Sequence, residues 1–137
     1  MNKASRDQMI EYRLEQAHET LKEAAALVEM SFWRGTINRS YYAMFYSVLA
    51  LAVLREQITS KHSGVIAFFD REYVKPGKFS KELSHALHLA FERRQTTDYG
   101  EIFTVSEEEA KQALHDADAF VTRIESYIYS TRNSQDS

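Results

Sequence analysis

The sequence predicts an all-α fold: a five-helix, up-and-down arrangement like a four-helix bundle. Three observations predict it. Only 4 Gly and 1 Pro punctuate 137 residues that are otherwise rich in Ala, Leu, Glu, Lys and Gln. Apolar residues recur at steps of three and four through five segments. No segment alternates apolar and polar residues in the way a half-buried strand does. Short connections favour antiparallel neighbours, hence the up-and-down order. The length and the 44% apolar content suit one domain over residues 1–137, with a core at about 5–129 and a polar, disordered tail at 130–137.

The first helix is expected over about residues 5–29, where Ile10, Leu14, Ala17, Leu21, Ala24 or Ala25, and Val28 build one stripe. The second spans about 34–56. Its heart, SYYAMFYSVLALAVL, is apolar nearly all round, which marks a helix covered on several sides. Thr59 or Ser60 can cap a third helix at about 61–74, with His62, Val65, Ile66, Phe69 and Tyr73 inward, and Pro76-Gly77 stops it. Ser80 can cap a fourth, which carries Leu83, Ala86, Leu87, Ala90 and Phe91 on one side and ends before Gly100. Ser106 and Glu109 have the spacing of a capping box for the fifth, whose inner face is Ala113, Leu114, Ala117, Phe120, Val121, Ile124 and Ile128.

Composition narrows the function classes. The absence of cysteine excludes disulfides and thiolate metal sites. No secretory leader pattern and no apolar run near the ~20 residues of a bilayer span is visible, so a cytoplasmic protein without a membrane partner is expected. Net charge is −3, unevenly spread. Residues 55–94 hold 8 basic and 5 acidic side chains, whereas 95–137 hold 3 and 9. The whole-chain charge argues against strong non-specific nucleic-acid binding and leaves room for a local basic face.

Catalytic motifs are sparse. His85 and His88 share a face at i and i+3, but no H-E-x-x-H or paired Glu-x-x-His set accompanies them, so neither a metal nor another cofactor is expected. No serine lies in G-x-S-x-G, and four scattered glycines build no phosphate loop. Arg39 stands inside a tyrosine-rich stretch and shares a face with Tyr42, Ala43 and Tyr46. A charge there needs a partner. It is either a structural ion pair, with Asp98 or a first-helix glutamate, or an anion-binding arginine facing a cleft.

Three stretches, NRSYYAMFYSVLALAVL, SKHSGVIAFFDREYVKPGKFSKEL and LAFERRQTTDYG, precede a helix opening with Ser-Glu-Glu-Glu. Together they resemble the HEPN domain family over about residues 5–128, most closely its small stand-alone bacterial and archaeal branch. The resemblance is strongest at Asn38, Arg39, Tyr41, Tyr42 and Ala43 and from Arg94 to Tyr99. It implies a homodimer. Many members are metal-independent endoribonucleases with an R-x4-6-H motif at the dimer cleft. There the arginine stabilises phosphate charge and the histidine serves the ribose 2′-hydroxyl. Others pair with a small nucleotidyltransferase as toxin and antitoxin, and that partner can adenylylate a tyrosine just after the motif.

In this sequence Arg94, with Arg93 beside it, occupies the arginine position. Tyr99 stands where the histidine would complete the motif, and no histidine follows until His115. Arg13-x4-His18 and Arg55-x6-His62 also fit the bare pattern but lie in other helices, and no role is assigned to them. Unperturbed tyrosine titrates near pH ~10 and is a poor base at neutral pH. The reading that follows is a non-catalytic or weakly active HEPN module. It acts as a homodimer with a nucleotidyltransferase-type partner in a toxin–antitoxin-like system and binds nucleotide or RNA. Arg39, Arg93, Arg94, Asp98 and Tyr99 are the candidate binding residues, and Arg94 with Tyr99, or with His85 or His88 from an adjacent turn, the candidates for catalysis. A metal-independent endoribonuclease and a nucleotide-binding module are the alternatives, and Arg94 pairing with Asp98 is the plain structural reading of the segment.

Overall fold

A computed structural model describes residues 1–57, 61–99 and 104–136, with side chains described to residue 96 in the second stretch and 134 in the third. The described residues form five α-helices with one π-helical segment and no strand: α1 (Lys3–Glu29), α2 (Trp33–Leu54), α3 (His62–Phe69), the π segment (Asp70–Val74), α4 (Lys81–Tyr99) and α5 (Glu107–Asp136). The all-α expectation therefore holds.

α2 is the central helix. It packs against α1, α3, α4 and α5, and 13 of its 22 residues are buried. Its all-round apolar character requires such cover. The expected stripe of α1 is buried at Ile10, Leu14, Ala17, Leu21 and Ala24, while Val28 is half-buried and Ala25 exposed. On α5, Ala113, Ala117, Phe120, Val121, Ile124 and Ile128 close the core from the other side.

The caps fall mostly as their chemistry dictates. The Ser80 hydroxyl accepts from the Leu83 N–H (3.1 Å), and that of Ser106 accepts from the Glu109 N–H (3.1 Å). Half of the capping box differs from expectation, because Ser106 Oγ also donates to the Glu109 carboxylate (3.2 Å). Asn2, not anticipated, caps α1 by accepting from the Ser5 N–H (2.8 Å). Thr59, Ser60 and Gly100 lie outside the described residues, and Lys61 occupies the N-cap position of α3 without a side-chain bond.

Two expectations need correction. The single helix over 61–74 is α-helical only to Phe69, and its last five residues are π-helical, with Lys75 N–H bonded to the Asp70 carbonyl (2.8 Å). Asp70 explains why the wider turn is held there. Its carboxylate accepts from the Ser84 hydroxyl (2.6 Å) and pairs with His88 Nε2 (2.6 Å), both on α4. Beyond it Tyr73 and Phe79 stack, ring centroids 5.5 Å apart, and Gly77 turns the chain at φ +88. The other correction concerns the tail: α5 continues through residues 130–136. Arg132 lies against α1, donating to Glu11 (2.8 Å) and standing 3.8 Å from Asp7, while the Tyr129 hydroxyl donates to Glu11 (3.1 Å). These bonds hold the last turns to the body of the bundle.

Candidate functional site

A cationic and aromatic cluster forms where α2, α3 and α4 meet. α2 supplies Arg39, Tyr41, Tyr42 and Phe45, because positions three and four apart share one face of the helix. α4 brings Arg94 across that face. Its guanidinium carbon lies 5.5 Å from the Tyr42 ring centre and 5.8 Å from that of Tyr41. Arg39 lies 5.0 Å from the same Tyr42 ring. One half-buried tyrosine thus contacts two guanidiniums, an arrangement favoured by the negative face of the ring.

Arg39 is held by an uncharged neighbour. Its Nε and Nη2 both donate to Asn38 Oδ1, at 3.0 and 2.8 Å. The first-helix glutamate expected as a structural partner exists in Glu23, but at 4.0 Å and half exposed. Such a contact orients the arginine while neutralising little of its charge.

His62 completes the cluster. It is expected inward on the third helix, and its match to the bare pattern with Arg55 carries no assigned role. The structure sets His62 against the arginine site. Its Nδ1 is 2.7 Å from the Tyr41 hydroxyl oxygen. Its ring stacks on Phe45, centroids 4.4 Å apart, and meets Tyr42 edge-on at 5.6 Å. Desolvation and the Arg94 charge hold the imidazole below its ordinary titration range. Burial pushes the Tyr41 phenol well above its own, partly opposed by Arg94. At neutral pH the pair is therefore a neutral imidazole bonded to a protonated phenol. Aromatic residues one helical turn from an arginine are the signal that sequence reasoning had in hand. What it lacked was that α3 crosses α2 at that turn.

The other candidates are distributed differently. Arg93 is not part of the cluster. It lines a separate groove with Ile37, Leu89, Thr96, Thr104 and Val105. The side chains of Asp98 and Tyr99 lie outside the described residues, and α4 itself reaches Tyr99. His88 is engaged by Asp70, and no group of three metal-ligating side chains gathers among the described residues. No described helix is long and apolar enough to cross a membrane.

The family model of the HEPN domain matches residues 10–127. The chain belongs to the HEPN domain family. Among its relatives, a UPF0332 protein of Thermotoga maritima is 42% identical over 123 residues, covering 90% of this chain and 93% of its own. Two Methanocaldococcus jannaschii proteins that carry the name of candidate toxins are 33% and 32% identical, covering 88% and 90% of this chain and 82% and 91% of theirs. The match to the UPF0332 relative spans most of both chains, the extent of a small HEPN domain. The cluster of Arg39, Tyr42, Arg94 and His62 brings two guanidiniums onto one tyrosine ring beside an imidazole.

Proposed function

We propose that this HEPN domain is the toxin-type half of a two-protein system and binds the phosphate of a nucleotide or RNA strand at the Arg39–Tyr42–Arg94 cluster. It acts as a homodimer alongside a nucleotidyltransferase-type partner. The observation that carries the reading is the pair of guanidiniums on one tyrosine ring. Arginine forks match phosphate oxygens in a way a point charge does not, and an adjacent aromatic face stacks a base. The names of the two archaeal relatives support the toxin side, while partner and dimer rest on the family resemblance. Along α2, Tyr46, Leu49 and Val53 continue the Tyr42 face as a partly buried apolar strip, which suits cover by a second copy.

Thermal unfolding with and without ligand tests the binding. AMP, ATP and a short single-stranded RNA are added to the wild type and to Arg94→Ala. Binding at a hundred times Kd stabilises the native state by about 2.7 kcal/mol, so the wild-type midpoint rises and that of Arg94→Ala does not. An equal rise in both proteins, or none with any of the three ligands, rejects the site. Co-purification with a nucleotidyltransferase expressed from the adjacent gene tests the partner, and two-fold mass in scattering tests the dimer.

A further inference from the structure

We propose that the groove lined by Arg93, separate from the Arg39–Tyr42–Arg94 cluster, is a second binding site, and that its ligand is a free apolar α-amino acid. The proposal does not depend on the phosphate-binding reading, because it uses none of that cluster's side chains.

Arg93 and Arg94 are neighbours on α4, and successive side chains leave an α-helix about 100° apart. Arg94 reaches the rings of Tyr41 and Tyr42, whereas Arg93 lines a groove of about 360 Å³ between α4, α2 and the start of α5. That volume lies within the roughly 300–1,000 Å³ of small-molecule sites. The floor is apolar. Ile37 is 2% exposed and belongs, with Ala110, Ala113 and Val105, to a small cluster apart from the main core. Leu89, half-buried, lines the same groove.

The charged groups of the groove stand apart from one another. Among the described residues Arg93 is the one arginine that makes no hydrogen bond, ion pair or ring contact, whereas Arg39, Arg55 and Arg132 each meet an acceptor. A half-buried guanidinium carries five donors, and leaving them without an acceptor is costly. Glu92 and Glu109 line the same groove, yet no ion pair joins either of them to Arg93. A cation and two anions that border one cavity without closing on each other leave room for a ligand bearing both signs. A zwitterion fits. Its carboxylate takes the Arg93 fork, its ammonium group lies toward Glu92 or Glu109, and an apolar side chain rests on Ile37, Leu89 and Val105. Both signs on one carbon is the chemistry of an α-amino acid, and the floor favours a leucine-like side chain over a polar one. The two carboxylates disfavour a nucleotide or any other polyanion here.

Titration calorimetry on the full chain tests the site with L-leucine, with isocaproate, which lacks the ammonium group, and with isoamylamine, which lacks the carboxylate. Each is added to about 10 mM, which saturates a site with a Kd of ~1 mM. Leucine is expected to bind once per chain, and each analogue at least about tenfold more weakly, since each forfeits one charged contact. Arg93→Ala is expected to weaken leucine binding by about tenfold or more. Replacing both carboxylates, Glu92→Gln with Glu109→Gln, removes the preference for leucine over isocaproate. No heat with leucine overturns the proposal. So does isocaproate binding as tightly as leucine, which marks a plain anion site. Leucine binding by Arg93→Ala at wild-type strength overturns it as well, as does a preference for leucine that survives the loss of both carboxylates. The analogues act on the wild-type protein, so they decide even where a variant fails to fold. The phosphate-binding test reads Arg94→Ala, so either site can fail without the other.

Discussion

The hydroxyl of Tyr41 and Nδ1 of His62 stand 2.7 Å apart, which ties the middle of α2 to the first turn of α3. A helix of eight residues has little stability of its own. This bond and the burial of Val65, Ile66, Phe68 and Phe69 set its position. The same bond makes α3 part of the cationic cluster.

The depressed titration of His62 has a consequence for stability. In the unfolded chain the imidazole protonates near pH ~6.5, whereas in the folded chain desolvation and Arg94 resist protonation. As pH falls below about 6.5 the unfolded state gains protons that the native state does not, and stability declines through the folded value. Chemical denaturation from pH 7.5 down to pH 5 is expected to show a steeper loss for wild type than for His62→Gln. Parallel curves contradict the assignment.

How much of this was legible in the sequence differs by element. The stripes of α1 and α5 were readable because each helix buries one face, and Ile10, Leu14, Phe120 and Ile124 are fully buried as their spacing requires. α2 was recognisable as central because a helix apolar all round must be covered. The π segment was not, since its cause is a tertiary contact: Asp70 reaching Ser84 and His88 on α4. The continuation of α5 was missed for a like reason. SQDS is polar, but Arg132 is held by Glu11 more than a hundred residues away in the chain. At the site, Arg39 and Arg94 were named from sequence, whereas the place of His62 depends on how α3 crosses α2.

Arg132→Ala should loosen the end of α5. The ion pair it removes is partly solvent-screened, so about 0.5–1 kcal/mol of stability is at stake, with added fraying after Tyr129. Hydrogen exchange should show faster exchange confined to residues beyond 129. Unchanged protection there means the terminal turns are held by helix propensity alone.

Phe120 sits fully buried, its ring 5.5 Å from that of Phe69. Phe120→Ala is expected to cost about 3–5 kcal/mol, a large part of the stability of a domain this size. Urea unfolding that gives a loss below ~1 kcal/mol would mean α5 repacks freely, contrary to a close-packed core.

The Ser106 cap offers a smaller and cleaner test. Ser106→Ala leaves the Glu109 N–H without its acceptor at the start of α5 and should cost about 1 kcal/mol, while Ser106→Asp restores it. A midpoint that does not recover in Ser106→Asp would show that the hydroxyl's second bond, to the Glu109 carboxylate, matters more than the cap.

The measurement that bears most directly on the phosphate-binding cluster is the salt dependence of single-stranded RNA affinity, by anisotropy, for wild type, Arg39→Ala and Arg94→Ala. Each arginine that meets a phosphate contributes about −0.7 to the slope of log K against log salt. The expected result is weaker binding in both variants, with a slope shallower by about that amount in each. Affinity and slope that match wild type in both variants would show that RNA phosphate does not bind between these two guanidiniums.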